Sequence, residues 1–379
     1  MIIFVLAGAA LLYTYFLYPL LLLAIGKDRT RTTESLKDES LLPSVSVIIP
    51  FHDEERWVSR KLEDTLSWDY PRDRLEVIAV SDGSTDRTNE ILNAYKDRVR
   101  VVLYHPRRGK PTALNAGVAE ARGEILVFTD ANVLLEPKAI RAMAACYGDP
   151  SVGGVSGNVA LQADGSHEPL GEGLYMRYER WLYALDSRVQ TMVGADGALF
   201  SIRRELCSPL PRDTIVDDFV LALEVISEGK RVVYEPDARG IEMVVPDVRA
   251  EFLRKVRMVA GGYEALWRFR YLLNPLRYPK VTFQLLSHKL MRWMVPLFLI
   301  VALVSSVIAA QAQPVLAGAV ALQVAFYALG GLGWISAAAR RWTPVYVPYY
   351  FCAVNIAAAV GFWRFLRGRQ AITWQKVSR

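Results

Sequence analysis

The sequence contains few cysteines and lacks several motifs that would assign a function directly. Cys146, Cys207 and Cys352 are the three cysteines among 379 residues, and no two of them form a CxxC pair. This argues against a disulfide framework or a zinc site and indicates a reducing compartment. No GxGxxG follows the first apolar run, and GxxxxGK[ST] and GxSxG are also absent. Dinucleotide-binding folds, P-loop NTPases and α/β-hydrolases therefore lose their main support.

The positive net charge is not accompanied by any nucleic-acid-binding pattern. The formal charge is +6, yet the chain has no RNP, zinc-finger or basic-zipper motif, so we expect no nucleic-acid partner. Basic residues beside apolar stretches instead fit the positive-inside rule and contact with anionic membrane lipid. A mean hydropathy of +0.17 together with 22% charged residues predicts a polar domain and membrane helices in one chain.

Uncharged apolar segments are present at both ends of the chain. Residues 1–26 are long enough to span a bilayer and have no basic start or cleavage pattern, which predicts a membrane anchor and not a signal peptide. Lys27, Arg29 and Arg31 follow it, so the next segment is predicted to be cytoplasmic. The region 291–366 contains about three further spans, at residues 294–311, 314–338 and 345–363.

The membrane side of the C-terminus stays open at this level. Counting spans places it outside, whereas the basic tail 367–379 favours the inside. A re-entrant or interfacial stretch among the three apolar segments would reconcile the two signals.

The segment 43–248 has the sequence pattern of an α/β domain. Four short β-branched runs, at residues 45–50, 75–80, 99–104 and 124–129, alternate with predicted helices at Glu54–Leu66 and Asp86–Tyr95. Such alternation predicts a mostly parallel sheet covered on both faces. Ligands of these sheets bind beyond the carboxyl ends of the strands.

Polar clusters follow all four predicted strands: FHDEE, SDGSTD, HPRRGKPTALNAG and TDAN. Asp82 could accept hydrogen bonds from a ribose or a base, Lys110 suits a phosphate, and Asp130 suits a hard cation that holds a diphosphate. Together they indicate a nucleotide sugar. Taken singly, Asp82 could belong to a turn, Lys110 could be solvated, and Asn132 could cap the helix near Pro137 or close a local turn.

In order and spacing, seven segments resemble the membrane-embedded family 2 glycosyltransferases, whose catalytic domain has the GT-A fold. These segments are VSVIIPFHDEE, SDGSTD, GKPTALNAG, TDANVLLEP, GADGALFSIRREL, DDFVLALEVISEGKRVVYEPDA and RKVRM. The group includes hyaluronan, chitin, cellulose and poly-N-acetylglucosamine synthases and many exopolysaccharide transferases, and the resemblance covers nearly the whole chain. It implies an inverting, multi-pass enzyme of the bacterial inner membrane with a cytoplasmic catalytic domain, which transfers sugar from a UDP-sugar to a glycan or lipid-linked acceptor.

The resemblance also implies roles for residues that contact the donor. Asp130 matches the first Asp of an Asp-x-Asp motif that binds the diphosphate through Mg²⁺ or Mn²⁺, and Asn132 replaces the second. An Asn carbonyl can ligate either metal but carries no charge, so weaker metal binding is expected. Asp82 matches the nucleoside-binding Asp and Lys110 the Gly-Lys near the nucleotide. Two further residues match the loop around the base, where Asp53 replaces the usual Asn: Pro50 and Glu55.

Asp218 matches the catalytic base of the family, with Asp217 in the preceding acidic position. A positioned carboxylate can take the proton of an acceptor hydroxyl during attack on the anomeric carbon. The two residues could instead merely start the helix predicted over 219–229. Asp196 and Gly197 match a segment that shapes the acceptor site in relatives.

The last motif departs from the Gln-x-x-Arg-Trp of processive synthases. Arg257 keeps the cation that contacts the diphosphate, whereas Arg254 replaces Gln and Met258 replaces Trp. A thioether offers no flat face for a sugar ring, which puts processivity in doubt. The stretch 249–290 is rich in aromatic and basic residues and is predicted to form interfacial helices, or alternatively a soluble amphipathic helix that closes the domain.

Three functions therefore remain: a transferase that adds single sugars, a processive synthase that also secretes its polymer, and an inactive membrane scaffold that binds nucleotide sugars. The loss of the Trp favours the first, and the set of membrane spans keeps the second. Asn132 and Met258 are the support for the third, whereas retention of the charged motif residues argues against it.

Overall fold

The computed structural model describes residues 1–27, 39, 42–163, 170–244 and 248–368. Arg29, Arg31 and residues 369–379 of the predicted basic tail lie outside the described residues. The chain divides into two compact units. We call residues 27–167 and 186–246 the sheet unit, and residues 1–26, 168–185 and 247–370 the helical unit. Residues 168–185, inside the predicted catalytic segment, thus group with the helical unit.

The sheet unit is built on one eight-stranded sheet with the order β3-β2-β1-β4-β7-β6-β8-β5. Its four leading strands are parallel neighbours, as the sequence predicts: β1 Val45–Phe51, β2 Leu75–Asp82, β3 Arg100–Tyr104 and β4 Ile125–Thr129. The other strands are β5 Val133–Leu135, β6 Val152–Ala163, β7 Leu199–Arg203 and β8 Arg231–Val244.

The second half of the sheet is the part that the hydrophobic pattern did not predict. β7 is antiparallel to both β4 and β6, and β5 is antiparallel to β8, whereas β6 and β8 are parallel. Four pairings are therefore parallel and three antiparallel, which confirms a mostly parallel α/β fold. β6 contains three glycines and β8 contains a proline and several charged residues, so neither forms a continuous apolar run.

Helices cover both faces of the sheet. Val47, Ile49 and Phe51 of β1 belong to one buried cluster, which also contains residues of the helix Val58–Leu66. Ile48, between them, points to the other face, where a Cβ on Gly117 would lie only 2.5 Å from its side chain. The period of two in β1 therefore buries apolar side chains on both faces, as expected of a central parallel strand. The helices of this unit that begin and end within it are Val58–Leu66, Thr88–Asn93, Lys110–Glu120, Ala139–Cys146 and Asp217–Ser227.

Two predicted helices begin later than the sequence pattern indicated. The first starts at Val58 and not at Glu54, because Asp53 adopts a left-handed conformation (φ 53°) and the Glu54 amide donates to Thr88 Oγ1 at 2.8 Å. The second starts at Thr88 and not at Asp86. Asp86 Oδ1 accepts from the Thr88 amide at 2.9 Å, so Asp86 forms a local turn just before the helix, whose N-cap is Arg87.

The helical unit contains the long apolar helices. Among the described residues, three helices are long and apolar enough to cross a membrane: Ile2–Ile25, Val315–Ile335 and Thr343–Leu366. Pro279–Trp293 and Val295–Ala310 form a pair bent by 58°, which would make a fourth span if counted together. A broken pair of this kind is the re-entrant or interfacial candidate that the sequence left open. The predicted interfacial stretch begins with the helix Val248–Arg268.

A buried carboxylate links two helices of this unit, Leu170–Val189 and Pro279–Trp293. Glu179, on the helix Leu170–Val189, is 6% exposed. Its carboxylate accepts hydrogen bonds from Arg292 and from His288 Nε2, the latter at 3.1 Å. Arg292 also lies over the rings of Tyr175 and Tyr178. A buried carboxylate requires such partners, because leaving it unpaired would cost several kcal/mol.

Candidate active site

Three predicted site residues that are far apart in the sequence, Lys110, Asp130 and Asp217, meet at one edge of the sheet. Lys110 Nζ lies 2.9 Å from Asp130 Oδ1 and 3.2 Å from Asp217 Oδ2. Lys110 is the first residue of the helix Lys110–Glu120, and Asp130 directly follows β4. The ammonium therefore bridges two carboxylates that are 87 positions apart in the sequence. We call Lys110, Asp130, Asp217 and Asp218 the acidic–lysine cluster.

The ionisation of this cluster suits acid–base chemistry. Burial and the neighbouring Asp217 charge raise the pKa of Asp218 to about 7, although the Lys110 ammonium opposes the shift. Burial lowers the pKa of Lys110, but the charges of Asp130 and Asp217 outweigh burial and raise it overall. Lys110 thus stays protonated, while Asp218 exchanges a proton near neutral pH, where a general base is most effective.

Asp196 and Gly197 lie beside Asp218. A Cβ built on Gly197 would lie 3.2 Å from Asp218 Oδ2, so the glycine leaves space next to this carboxylate. The Asp196 amide donates to Ser156 Oγ at 2.9 Å, and Asp196 Oδ1 accepts from the Ala198 amide at 3.1 Å. These bonds fix the turn that precedes β7. The two residues predicted at an acceptor site therefore border the predicted base.

Asp82 holds a loop together in this structure. Its side chain is 5% exposed. Oδ1 accepts from Tyr104 Oη at 2.9 Å and from the Arg108 amide at 2.7 Å, and Oδ2 accepts from the Gly109 amide at 2.8 Å. Gly109 has φ +95°, a conformation that favours glycine. Asp82 therefore orders the backbone that leads into Lys110, and its predicted contact with the nucleoside stays a prediction.

The loops after β1 and β2 are joined by backbone-to-side-chain bonds. Asp53 Oδ1 accepts from the Thr85 amide at 2.7 Å. Burial raises its pKa, but the hydrogen bonds from Thr85 and the His52 charge outweigh burial and lower it. Glu55 Oε2 accepts from the Arg87 amide at 3.3 Å. Pro50 is the penultimate residue of β1. The loop predicted to surround the base is thereby fixed to the loop that follows β2.

Asn132 is anchored to β8. Its side-chain Nδ2 donates to the Met243 backbone carbonyl at 2.9 Å. The backbone carbonyl of Asn132 accepts from the Met243 amide at 3.1 Å. The side chain is thus held by a residue 111 positions away and neither caps the helix near Pro137 nor closes a local turn. A metal would bind the oxygen of this amide, and the bond to Met243 uses its nitrogen.

The donor set is sparse for a resident metal ion. Within the described ranges, no three His, Cys, Asp or Glu side chains are grouped to hold a metal. One carboxylate, Asp130, and one amide oxygen, on Asn132, fit a Mg²⁺-like ion that takes its other ligands from substrate phosphates and water. The residues present therefore fit a metal that arrives with a nucleotide better than one bound permanently.

The remaining predicted residues lie on the helix Val248–Arg268 of the helical unit. Arg254 pairs with Glu251 at 2.7 Å, and Met258 is 47% exposed. Arg257 lies on the same helix. The roles predicted for these three residues stay predictions.

Two charged residues that were not predicted from the sequence, Lys61 and Asp64, lie beneath the β4–β5 turn. The buried positions of their helix are Val58, Lys61, Leu62 and Thr65, which follow the i, i+3, i+4, i+7 spacing of a core-facing stripe. A lysine within that stripe was the available signal.

Comparisons with known proteins agree with this architecture. Residues 46–207 match the family described as Glycosyl transferase family 2. A probable glycosyltransferase, YdaM, of Bacillus subtilis is 27% identical over 270 residues, which cover 66% of this chain and 62% of that protein. A poly-beta-1,6-N-acetyl-D-glucosamine synthase of Staphylococcus aureus is 25% identical over 249 residues, covering 63% of this chain and 59% of that protein.

A solved structure shares the fold over almost the whole chain. The mannosyltransferase PcManGT from Pyrobaculum calidifontis, in complex with GDP-Man and Mn²⁺, superposes with a TM-score of 0.69 at 24% identity. The match covers 97% of this chain and 99% of that one. By contrast, the chain matches about three fifths of the length of the curated relatives, 62% and 59%. These findings agree with the parallel sheet and the motifs at its edge: residues 46–207 match the family 2 glycosyltransferases, and the chain has the GT-A fold.

Proposed function

We propose that this protein is an inverting glycosyltransferase that moves a sugar from a nucleotide sugar to a glycan or lipid-linked acceptor at a membrane. The observation that carries the proposal is the Lys110 ammonium between Asp130 and Asp217, next to Asp218 at the carboxyl edge of the sheet. A cation, a metal-ligating carboxylate and a base of near-neutral pKa are the groups that glycosyl transfer from a diphosphate needs. The family match and the names of the relatives support the same reaction class.

In the proposed reaction, Asp218 takes the proton of the acceptor hydroxyl while that oxygen attacks the anomeric carbon. The bond between this carbon and the diphosphate oxygen breaks, and its electron pair leaves with the nucleoside diphosphate. Lys110 stabilises the negative charge of the leaving group. A divalent metal held by Asp130 and Asn132 supplies further charge neutralisation when bound. A single displacement inverts the configuration at the anomeric carbon.

The donor is proposed to be a UDP-sugar, with a GDP-sugar as the tested alternative. The UDP proposal rests on the resemblance to polymer synthases, whereas the structural neighbour PcManGT is bound to GDP-Man. The bonded loops around Asp53 and Asp82 form the proposed nucleoside site. We further propose that the bacterial inner membrane holds the helical unit and that the sheet unit faces the cytoplasm, because Lys27 follows the first span.

The test is nucleotide release by purified protein in nanodiscs, with panels of UDP- and GDP-sugars and a lipid extract as acceptor source. We expect release of one nucleotide type in Mn²⁺ or Mg²⁺ and none in excess chelator. Asp130 is the only carboxylate of the Asp-x-Asn motif, so the metal is expected to bind weakly and a chelator to remove it. Asp130→Ala serves as the matched inactive control. Full turnover in chelator would contradict the metal assignment, and identical release by Asp130→Ala would contradict the site.

A processive synthase is the second candidate, favoured by the poly-beta-1,6-N-acetyl-D-glucosamine synthase among the relatives. Sizing the labelled product separates the two. A product one sugar larger than the acceptor supports single addition. A long polymer formed from donor alone supports the synthase, despite Met258 in place of Trp. Neither product, with donor bound, supports the inactive scaffold.

The pKa of Asp218 predicts the pH dependence of the reaction. Because burial and Asp217 raise this pKa to about 7, the carboxylate is increasingly protonated below neutral pH and cannot accept the hydroxyl proton. We expect kcat/KM to fall about tenfold per pH unit below pH 7, since kcat/KM reports the free enzyme.

The control for the pH profile is the Kd of the nucleoside diphosphate, which should vary much less over the same range. A kcat/KM that stays flat down to pH 5 would show that the base has an ordinary carboxylate pKa or is another group.

A further inference from the structure

Lys61 is a fully buried lysine that the proposed reaction does not use. Its relative exposure is 0%. Its ammonium donates to the Val133 carbonyl at 2.6 Å and to Thr129 Oγ1 at 3.2 Å, and lies 5.5 Å from the centre of the Trp68 ring. Burial lowers the pKa of this lysine to about 8, against the opposing influence of Asp64 and Asp130. A buried cation is costly, so its retention requires a reason.

The two acceptors of Lys61 flank the segment that carries the predicted metal ligands. Thr129 is the last residue of β4 and Val133 is the first residue of β5. Asp130, Ala131 and Asn132 make up the whole connection between them. One ammonium therefore ties together both ends of a three-residue turn.

Asp64, one helical turn after Lys61, binds β5 beyond the same turn. Its Oδ2 accepts from the Leu135 amide at 3.2 Å and from Trp68 Nε1 at 3.2 Å. Residues three apart on a helix lie on the same face. The helix Val58–Leu66 thus bonds to β4 and β5 on both sides of the turn, through Lys61 and Asp64.

We propose that Lys61 and Asp64 form a positioning clamp that holds Asp130 and Asn132 in the geometry required to bind the metal and diphosphate of the donor. This proposal rests on the proposed function. Lys61 binds the residues on both sides of the turn, and Lys110 pairs with Asp130 within it, so both cations act on this turn. Lys110 is one quarter exposed and is therefore accessible to incoming phosphates, whereas Lys61 has no exposed surface.

A purely structural role for Lys61 would change the thermal midpoint but not the nucleotide affinity. If Lys61 merely stabilised the core, its loss would lower the thermal midpoint and leave the nucleotide affinity of the folded protein unchanged. A clamp on the turn must also change that affinity, because the ligand atoms of Asp130 and Asn132 lose their fixed positions.

The experiment compares Lys61→Met with the wild-type protein in nanodiscs, measuring the thermal midpoint and the Kd of UDP and of GDP in the presence of Mn²⁺ by calorimetry. Arg203→Met is the matched control. Arg203 also binds backbone carbonyls, of Val152 and Tyr147, and stacks on a ring, that of Tyr147. It pairs with Ile125 at the opposite end of β4.

We expect Lys61→Met to raise the Kd of the bound nucleotide about tenfold and Arg203→Met to leave it within twofold, while both lower the thermal midpoint. Turnover with the sugar donor should show a higher KM at a smaller change in kcat. An unchanged Kd in folded Lys61→Met would overturn the clamp alone. Failure of the wild-type protein to bind either nucleotide would overturn the proposed function and the clamp with it.

Thr129→Val provides a second variant if Lys61→Met does not fold. It removes one acceptor of the ammonium and keeps the shape of a side chain that is 1% exposed. We expect a threefold to tenfold rise in the nucleotide Kd, and no further rise when it is added to Lys61→Met, since the two changes break the same bond. A Kd equal to that of the wild-type protein would overturn the proposal.

Discussion

Replacing Asp218 by Asn is expected to reduce kcat about 100- to 10,000-fold, the usual contribution of a positioned general base. The amide keeps the size of the carboxylate but cannot accept the hydroxyl proton. Because Lys110 pairs with Asp130 and Asp217, the donor side of the site should stay intact. The measurement is single-turnover transfer together with the Kd of the nucleoside diphosphate, which should change less than threefold.

Asp97→Asn is the matched control, since it makes the same chemical change at an exposed residue just before β3. Asp217→Asn identifies the base by exclusion. Asp217 forms an ion pair with Lys110, so its loss should weaken donor binding more than proton transfer. If Asp217→Asn abolishes transfer while Asp218→Asn retains it, the roles of the two residues are reversed.

The second large effect is expected from Lys110→Met. This change removes the proposed cation of the leaving group and leaves Asp130 and Asp217 facing each other without a positive charge between them. We expect kcat/KM to fall about 100- to 1,000-fold, the cost of removing one preorganised donor from a charge-stabilising site.

The same variant should also move the pH profile. The Lys110 charge lowers the pKa of Asp218, whereas burial and Asp217 raise it. Without Lys110 this lowering influence is lost, and burial and the Asp217 charge are opposed only by the hydrogen bond from the Phe219 amide, so the acid limb of kcat/KM should shift above pH 7. Lys230→Met is the matched control, because Lys230 donates to the Pro150 carbonyl outside the acidic–lysine cluster. A limb that stays at the wild-type pH would contradict the coupling between Lys110 and Asp218.

Much of the fold could be predicted because its leading strands are regular. β1, β2 and β4 are largely buried, whereas the edge strand β3 is only half-buried. All four are short apolar runs in the sequence, and the structure reproduces each of them within two residues. The polar clusters after these strands were assigned to one edge by topology alone, since parallel strands end on the same side. Lys110 and Asp130 meet there at 2.9 Å.

The remaining half of the sheet was not predictable from the same pattern. β6 and β8 carry glycines, a proline and charged residues, so their burial depends on partners that are distant in the sequence. Asn132 shows the same limit at the site. Locally it fits a cap or a turn, whereas its side chain bonds to Met243 of β8.

The sequence by itself determined the parallel half of the sheet, through local periodicity, and the resemblance to family 2 glycosyltransferases, through the order and spacing of its motifs. Only the tertiary structure decided which partners the charged side chains contact, because these partners are far apart in the sequence. Asp82 orders the loop before Lys110, Lys110 bridges Asp130 and Asp217, and Lys61 lies buried beneath the β4–β5 turn. The pKa of Asp218 was equally undecided by sequence, since it depends on burial and on charges brought together by the fold.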